Sequence, residues 1–577
     1  MSAATRERIE SAFGVVVGRL VREMKPEGFW EGELSSSALS TATAISALCV
    51  ARKPGDRAIV ERGVSWLRQT VNPDAGWGDT PDSPSNLATT LLVKAALRLS
   101  DPSDLSDQSD SSEAEIVAAI NDFYGADRTF AVPILANCAL AGMVSWNCVP
   151  GLPFELAVFP RAWYRLLRLD VVSYALPALI AVGLAIHHHA PSRSPFRRLA
   201  RRAAIKTVLE KLRRIQPENG GFLEATPLTS FTAMTLGSVY GADQPVVSKC
   251  LEFIRQSQRP DGSWPIDTNL SVWITTGAIS ALTNADRLDE IDVEKTSGWL
   301  AARQYKSVHP FTGAAPGGFA WTHLPGGVPD ADDTSGAVLA SIHLGNTESA
   351  GAAVDWLLGL QNADGGWPAF CRGWGQLPFD RSSPDITAHA IRALRAFDSE
   401  TDAKCRRAVE RGYDYLAAAQ QADGSWIPLW FGNQAAEDHS NRVFGTSRSL
   451  LAYAGRDSRE VVAALQYLLQ AQNDDGGWGG GQGIASSVEE SSLAVTALIR
   501  FGSEAEVQSA TTRGIDYLVS RVEDSSWTTA APIGLYFSSL WYSERLYPIA
   551  WAVEALGLAA CGGSTRATEH YVCNAKS

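Results

Sequence analysis

The sequence predicts an all-α protein built from repeated helical hairpins, on three observations. A tryptophan phrase recurs, apolar segments of helical period separate its copies, and each copy carries a glycine turn. The phrase reads QRPDGSW up to Trp264, QNADGGW up to Trp367, QQADGSW up to Trp426 and QNDDGGW up to Trp478. Weaker copies lie at Trp77, Phe222, Trp321 and Trp527, and from Trp264 onward the intervals are 57, 46, 59, 52 and 49 residues. A period of this size, with AVDWLLGL and DITAHAIRAL between copies, is one helix pair per repeat. The Asp-Gly-Gly or Asp-Gly-Ser step supplies the reversal, because glycine reaches the positive φ a tight turn needs. The Gln and Trp of each phrase are expected to tie the turn to a neighbouring helix. Units of this kind stack as an open solenoid or close into a ring, and the period alone admits both.

The 577 residues exceed one ordinary core, so two domains are expected. Hydrophobic content of 45% with 20% charge describes a folded chain, and a net charge of −13 argues against nucleic acid as a partner. Eight scattered cysteines without a CxxC pair suit reduced thiols in a cytoplasmic protein better than disulfides or a zinc site. The N-terminal stretch is interrupted by charge throughout and reads as an amphipathic helix, with no signal peptide. No uncharged run reaches the roughly 20 residues that span a bilayer.

Residues 101–115 are acidic and low in complexity, and read as a solvated loop. Val171–Ile186 follows, 16 residues without a charge, preceded by Arg161, Arg165 and Arg168. A basic cluster from Arg193 to Arg214 comes after it. An apolar patch framed by cations predicts monotopic contact with one leaflet, at the cytoplasmic face of the cell membrane. His187, His188 and His189 read as a loop between the two.

The motif VPDADDTS places Asp330, Asp332 and Asp333 within four residues, just before the apolar run SGAVLASIHL. Helix capping uses one aspartate at most. Magnesium sites of the DDxxD type need a later carboxylate, and Thr334 to Ala337 offer none, so no metal is expected. Proton chemistry remains: two carboxylates disfavour ionisation of a third, which then keeps its proton near neutrality. A cationic hydrogen-bond donor beside it would sharpen its acidity. Asp385 and His389 stand one helical turn apart in SSPDITAHAI and supply the candidate. So strong an acid suits a very weak base, an alkene or an epoxide.

DxDDT together with repeated QxxDGxW phrases resembles the squalene–hopene and oxidosqualene cyclases, the class II terpene cyclases. The resemblance implies two α-α barrel (toroid) domains, one inserted into the other. Residues 1–30 and 255–577 would form the catalytic barrel and residues 31–254 the inserted one, with an apolar cavity between them. It implies Asp332 as proton donor, flanked by Asp330 and Asp333, with His389 as its hydrogen-bond partner and Asp385 beside it. Matching phrases put Trp146, Trp273, Trp321, Phe370 and Trp430 on the cavity wall as π-faces for carbocations. The run IGLYFSSLWYSERLYP would add Phe537, Trp541 and Tyr542, with Tyr536 and Tyr547 in the same segment and the register open.

The implied reaction converts squalene or a similar long linear isoprenoid hydrocarbon to a polycyclic triterpene such as a hopanoid, without a cofactor. It is an isomerisation, or a lyase-type reaction if water captures the last cation. A homodimer is left open. The rival within the same acid chemistry is a copalyl-type prenyl diphosphate cyclase. A prenyltransferase β-subunit needs a zinc-binding Asp/Cys/His set that the histidines here do not offer, and a bare solenoid scaffold leaves DADD unexplained. Departures from the family pattern are Trp321 where phenylalanine is usual, Phe370 where tyrosine is usual, Thr43 near an absent glutamate, and the insertion FGNQAAEDHSNR after Trp430.

Overall fold

The Trp367 phrase explains how one repeat holds the next. Gln361 ends the helix Thr347–Leu360, and its Nε2 donates to the carbonyls of Gly365 and of Ala408 on the following outer helix, both at 2.8 Å. Gly365 has φ +95°, and a Cβ there would lie 2.3 Å from the Arg411 carbonyl, so no other residue fits. The Trp367 indole N–H donates back to Leu357 at 2.9 Å, while its backbone N–H donates to Thr387 Oγ1 on the inner helix at 3.0 Å. Three helices are thereby pinned by one turn. Gln420 with Trp426, Gln472 with Trp478 and Gln258 with Trp264 make the same set of bonds.

In this computed structural model the chain is described over residues 3–101, 112–125, 128–160, 163, 174, 176–370, 380–398, 402–502, 504–536 and 540–561. The repeats close into rings. One inner ring runs Ala38–Ala51, Leu87–Ser100, Arg128–Leu140, Leu176–His189 and Thr226–Tyr240, the last packing on the first. A second runs Ser271–Asn284, Ala331–His343, Pro384–Asp398, Arg442–Leu450, Val488–Phe501 and Tyr547–Ala560, and also closes on itself. The inner helix Tyr547–Ala560 is buried on every side from Tyr547 to Ala559, and its sequence is apolar nearly all round. Outer helices such as Arg57–Gln69 bury only one stripe, here Gly63, Trp66 and Leu67.

The N-terminal helix Ala3–Arg22 packs on Tyr547–Ala560 and Ala505–Glu523, burying Ile9, Phe13, Val16 and Leu20 in the second ring. The chain then crosses to the first ring and returns beside its own departure point. There Ser36–Ser37 pairs antiparallel with Trp264–Pro265.

Three expectations change. Val171–Ile186 is not a leaflet-facing patch in its described part: Ile180 to Ile186 are at most 3% exposed, because Leu176–His189 is an inner helix of the first ring. Val171, Val172 and Ser173 lie outside the described residues, as do Arg161, Arg165 and Arg168. His187, His188 and His189 form the last turn of that helix, not a loop. Of the acidic run, residues 102–111 lie outside the described residues, and its end is not a loop: the side chains of Ser112 and Glu115 build a capping box for the helix Glu113–Tyr124. No described helix is long and apolar enough to cross a membrane.

Candidate active site

Asp330 is extended, with φ −137° and ψ 169°, and caps the helix Ala331–His343 by accepting the Asp333 backbone N–H at 2.8 Å. Capping is thus done by Asp330 alone, and Asp332 is free for another task. From the neighbouring inner helix Pro384–Asp398, His389 Nδ1 reaches to 2.6 Å from Asp332 Oδ1. Asp385 sits one turn earlier on that helix and accepts the Ser383 hydroxyl. The 57 residues between Asp332 and His389 are closed by adjacent positions in one ring.

No cation contacts Asp330 or Asp333 among the described ion pairs. Burial pushes Asp330 up to about 7, with the Asp332 charge adding to it. Burial and then the charge of Asp330 hold Asp333 well above the carboxylate range. Asp385 is pushed up to about 6, by burial first and by Asp332 second. Asp330 Oδ2 and Asp333 Oδ1 are buried without a hydrogen-bond partner. A cluster in this state keeps protons near neutral pH.

Burial lowers the pKa of His389, and the charges of Arg448 and Arg392 lower it further, outweighing Asp332.

Asp330, Asp332 and Asp333 line a cavity of about 100 Å³ together with Trp273, Trp321, Phe370, Trp430, Phe431, Tyr536, Tyr542 and Tyr547. The rings are set across one another: Phe370 lies 5.1 Å from Trp430 at 85° and 6.0 Å from Trp321 at 72°. Trp273 stands edge-on to His389 at 6.3 Å, nearest the acid. Phe431 is fixed by stacking on Phe444 at 3.9 Å. A second cavity of about 100 Å³ in the first ring is lined by Leu92, Tyr174, Leu179, Leu223, Phe231 and other apolar groups. Tyr536 lines both, and Tyr174 meets Phe370 at 4.5 Å, so the two cavities adjoin.

Two expected wall residues are elsewhere. Trp146 stacks on His189 at 4.6 Å, at the end of an inner helix of the first ring, and lines neither cavity. Trp541 sits between Leu540 and Tyr542 on a strand whose side chains alternate, so when Tyr542 faces the cavity Trp541 cannot. Its ring packs on Gly432 and His439 instead. Phe537 lies outside the described residues. Sequence reasoning missed Phe431, Arg392, Arg448 and Asp267. Phe431 had a signal, the start of the insertion after Trp430. That insertion bends back, pairing Gly432 with Ser440, and anchors Asn433 and Asn441 on buried Glu490.

Comparison with known proteins agrees with this architecture. Residues 270–560 match the squalene-hopene cyclase C-terminal domain, residues 15–218 the corresponding N-terminal domain, and residues 164–316 the prenyltransferase alpha-alpha toroid domain. A probable squalene–hopene cyclase from Sinorhizobium fredii is 24% identical over 94% of this chain and 96% of its own length. A copalyl diphosphate synthase from Streptomyces cyslabdanicus is 27% identical over 84% and 85%. The chain spans 46% of the length of an enfumafungin synthase from Hormonema carpetanum, at 24% identity over 92% of this chain. In fold, the ent-copalyl diphosphate synthase from Streptomyces platensis superposes with a TM-score of 0.57 at 18% identity, covering 96% of this chain and all of that one. The chain belongs to the squalene–hopene cyclase family, the class II terpene cyclases.

Proposed function

We propose that this protein protonates squalene or a similar long linear polyprene and cyclises it to a polycyclic triterpene such as a hopanoid. One observation carries the reading: an aspartic acid cluster with its histidine lies on the wall of an aromatic cavity that adjoins a second, apolar one. Asp332 donates. Its O–H bond breaks as the terminal alkene's electron pair takes the proton, leaving a tertiary carbocation for the next alkene to attack. His389 donates its Nδ1–H to Asp332 Oδ1, so the carboxylate that forms is already hydrogen-bonded. Arg448 and Arg392 stabilise that charge through the imidazole. The crossed rings then hold each cation in turn, and the dry walls keep water from quenching it.

Trp430→Ala and Trp273→Ala should each release partly cyclised products. Losing one π-face removes roughly 0.5–2 kcal/mol of cation stabilisation, enough for deprotonation to compete with the next closure. Unchanged product ratios with lower activity would make these rings purely structural.

A copalyl-type prenyl diphosphate cyclase is the second reading, favoured by the 27% identity to the Streptomyces cyslabdanicus protein. Its substrate brings a charged headgroup, whereas the second cavity is walled by side chains such as Leu39, Ile134 and Phe231. The test is incubation of purified protein with squalene, and separately with geranylgeranyl diphosphate and Mg²⁺, with products identified by mass spectrometry. Turnover of the diphosphate with squalene untouched would replace the first reading by the second.

Peripheral membrane contact belongs to the same proposal, with the basic cluster the sequence suggested but different apolar side chains. Leu156, Val158, Phe159, Trp163, Phe196 and Leu199 are all exposed, Phe196 at 84%. Phe159 and Trp163 stack at 5.7 Å, and Arg201 to Glu155 at 3.1 Å ties their segment to the helix Pro195–Ile215. Exposed Arg193, Arg197, Arg198, Arg202 and Lys206 surround Phe196 and Leu199. Apolar side chains ringed by cations suit an anionic bilayer, each cation adding about 1 kcal/mol. Phe196→Ser with Leu199→Ser should abolish co-flotation with phosphatidylglycerol-containing vesicles, and wild type should float less with phosphatidylcholine alone. Equal flotation of variant and wild type would locate the contact elsewhere.

A further inference from the structure

A second buried acid stands at the junction of the two cavities, outside the proton-donating cluster. Asp267 follows the Trp264–Pro265 strand where the chain passes from the first ring to the second, and it is fully buried. Its Oδ2 accepts two hydrogen bonds, from the Trp321 indole N–H at 2.9 Å and from the Tyr536 hydroxyl at 3.2 Å. Oδ1 is buried with no partner. Both donors are wall residues of the acid chamber, and Tyr536 also lines the apolar cavity beyond it. Asp267 thus grips two cation-facing rings by their polar edges from behind the wall.

Its surroundings are built to keep it there. Leu223 and Glu224 both hold positive φ, 57° and 55°, a conformation unfavourable for non-glycine residues. That backbone turns Leu223 into the apolar cavity and Glu224 inward, where it accepts from Asn219 Nδ2 at 2.8 Å and from the Gly326 N–H at 2.7 Å. Burial, with Glu224 adding to it, raises Asp267 well above the usual carboxylate range. A neutral acid is not a counter-charge for a carbocation. What it offers is an oxygen that fixes two rings.

Cyclisation begins at Asp332 and draws the chain in from the apolar cavity, so late cations form towards the junction. We propose that Asp267 is a specificity-determining positioning residue: by locking the Trp321 and Tyr536 rings where the cavities meet, it sets the ring closure at which the cation is released. This rests on the cyclase reading above. Cation–π attraction falls away once the ring centroid is beyond about 6 Å, so an unanchored ring that swings off its mark stops supporting its cation.

The experiment uses the full-length protein with squalene, and with geranylgeranyl diphosphate as second probe, and compares product patterns by mass spectrometry. Asp267→Ala should raise early-released, partly cyclised products about tenfold relative to the fully cyclised one, while substrate is still consumed. Asp267→Asn keeps an oxygen for both donors and should retain the wild-type pattern. Tyr536→Phe keeps the ring but loses one bond, and should shift the same products to a smaller degree. Adding it to Asp267→Ala should change little, because both remove one interaction. Should Asp267→Ala fail to fold by thermal melting, the Asn and Phe variants decide alone. Unchanged products in Asp267→Ala or Tyr536→Phe, or an Asn variant as disturbed as Ala, would overturn the assignment. A wild type that transforms neither probe would overturn the cyclase reading instead.

Discussion

Asp332→Asn should leave the protein folded and reduce cyclisation by at least about 10²–10⁴-fold, the usual worth of a general acid. The amide is nearly isosteric and can still accept a bond from His389 Nδ1, so the contact at 2.6 Å survives the change. Helix capping is untouched, because Asp330 alone receives the Asp333 N–H. Only the proton is lost. Burial pushes Asp330 and Asp333 up as well, but Asp330 accepts the Asp333 N–H and neither is paired with His389. Circular dichroism should match wild type while product formation disappears. Near-wild-type turnover would remove Asp332 as the donor.

Trp367→Ala should destabilise the second ring by about 3–5 kcal/mol, the range for truncating a large buried aromatic. The ring is fully buried, and its N–H bond to Leu357 at 2.9 Å goes with it. Its six-membered edge lies about where a Cβ on Gly412 would be met at 3.1 Å, so the cavity left behind opens between an inner and an outer helix. Hydrogen exchange should accelerate in Thr347–Leu360 and Ala403–Ala419 before it does in the first ring. Trp367→Phe should lose less, since most of the apolar area stays. Uniform acceleration across both rings would mean that the phrases do not act locally.

The repeat was legible because its four full copies, ending at Trp264, Trp367, Trp426 and Trp478, make the same bonds. Gln361, Gln420 and Gln472 each clamp a glycine turn to the next outer helix, so one sequence phrase carries one physical job. The acid and its partner were legible because Asp332 and His389 occupy the same level of adjacent inner helices. Val171–Ile186 misled, since an uncharged run looks alike whether a bilayer or a ring of helices covers it. Only ring closure decides, and it buries Ile180 to Ile186. Trp541 misled through period two: a register shift of one residue reverses which side chain faces the cavity. Asp267 gave no signal, because its partner Tyr536 is 269 residues away and nothing local marks the pair.

The central claim is that a proton from the enzyme starts the reaction on an uncharged polyprene. Incubation of the wild-type protein with squalene in deuterium oxide tests it most directly. Asp332 exchanges with solvent between turnovers, so each cyclised molecule should carry a single carbon-bound deuterium from the initiating step. A cyclised product without deuterium, or squalene recovered unchanged while geranylgeranyl diphosphate is consumed, would contradict the account.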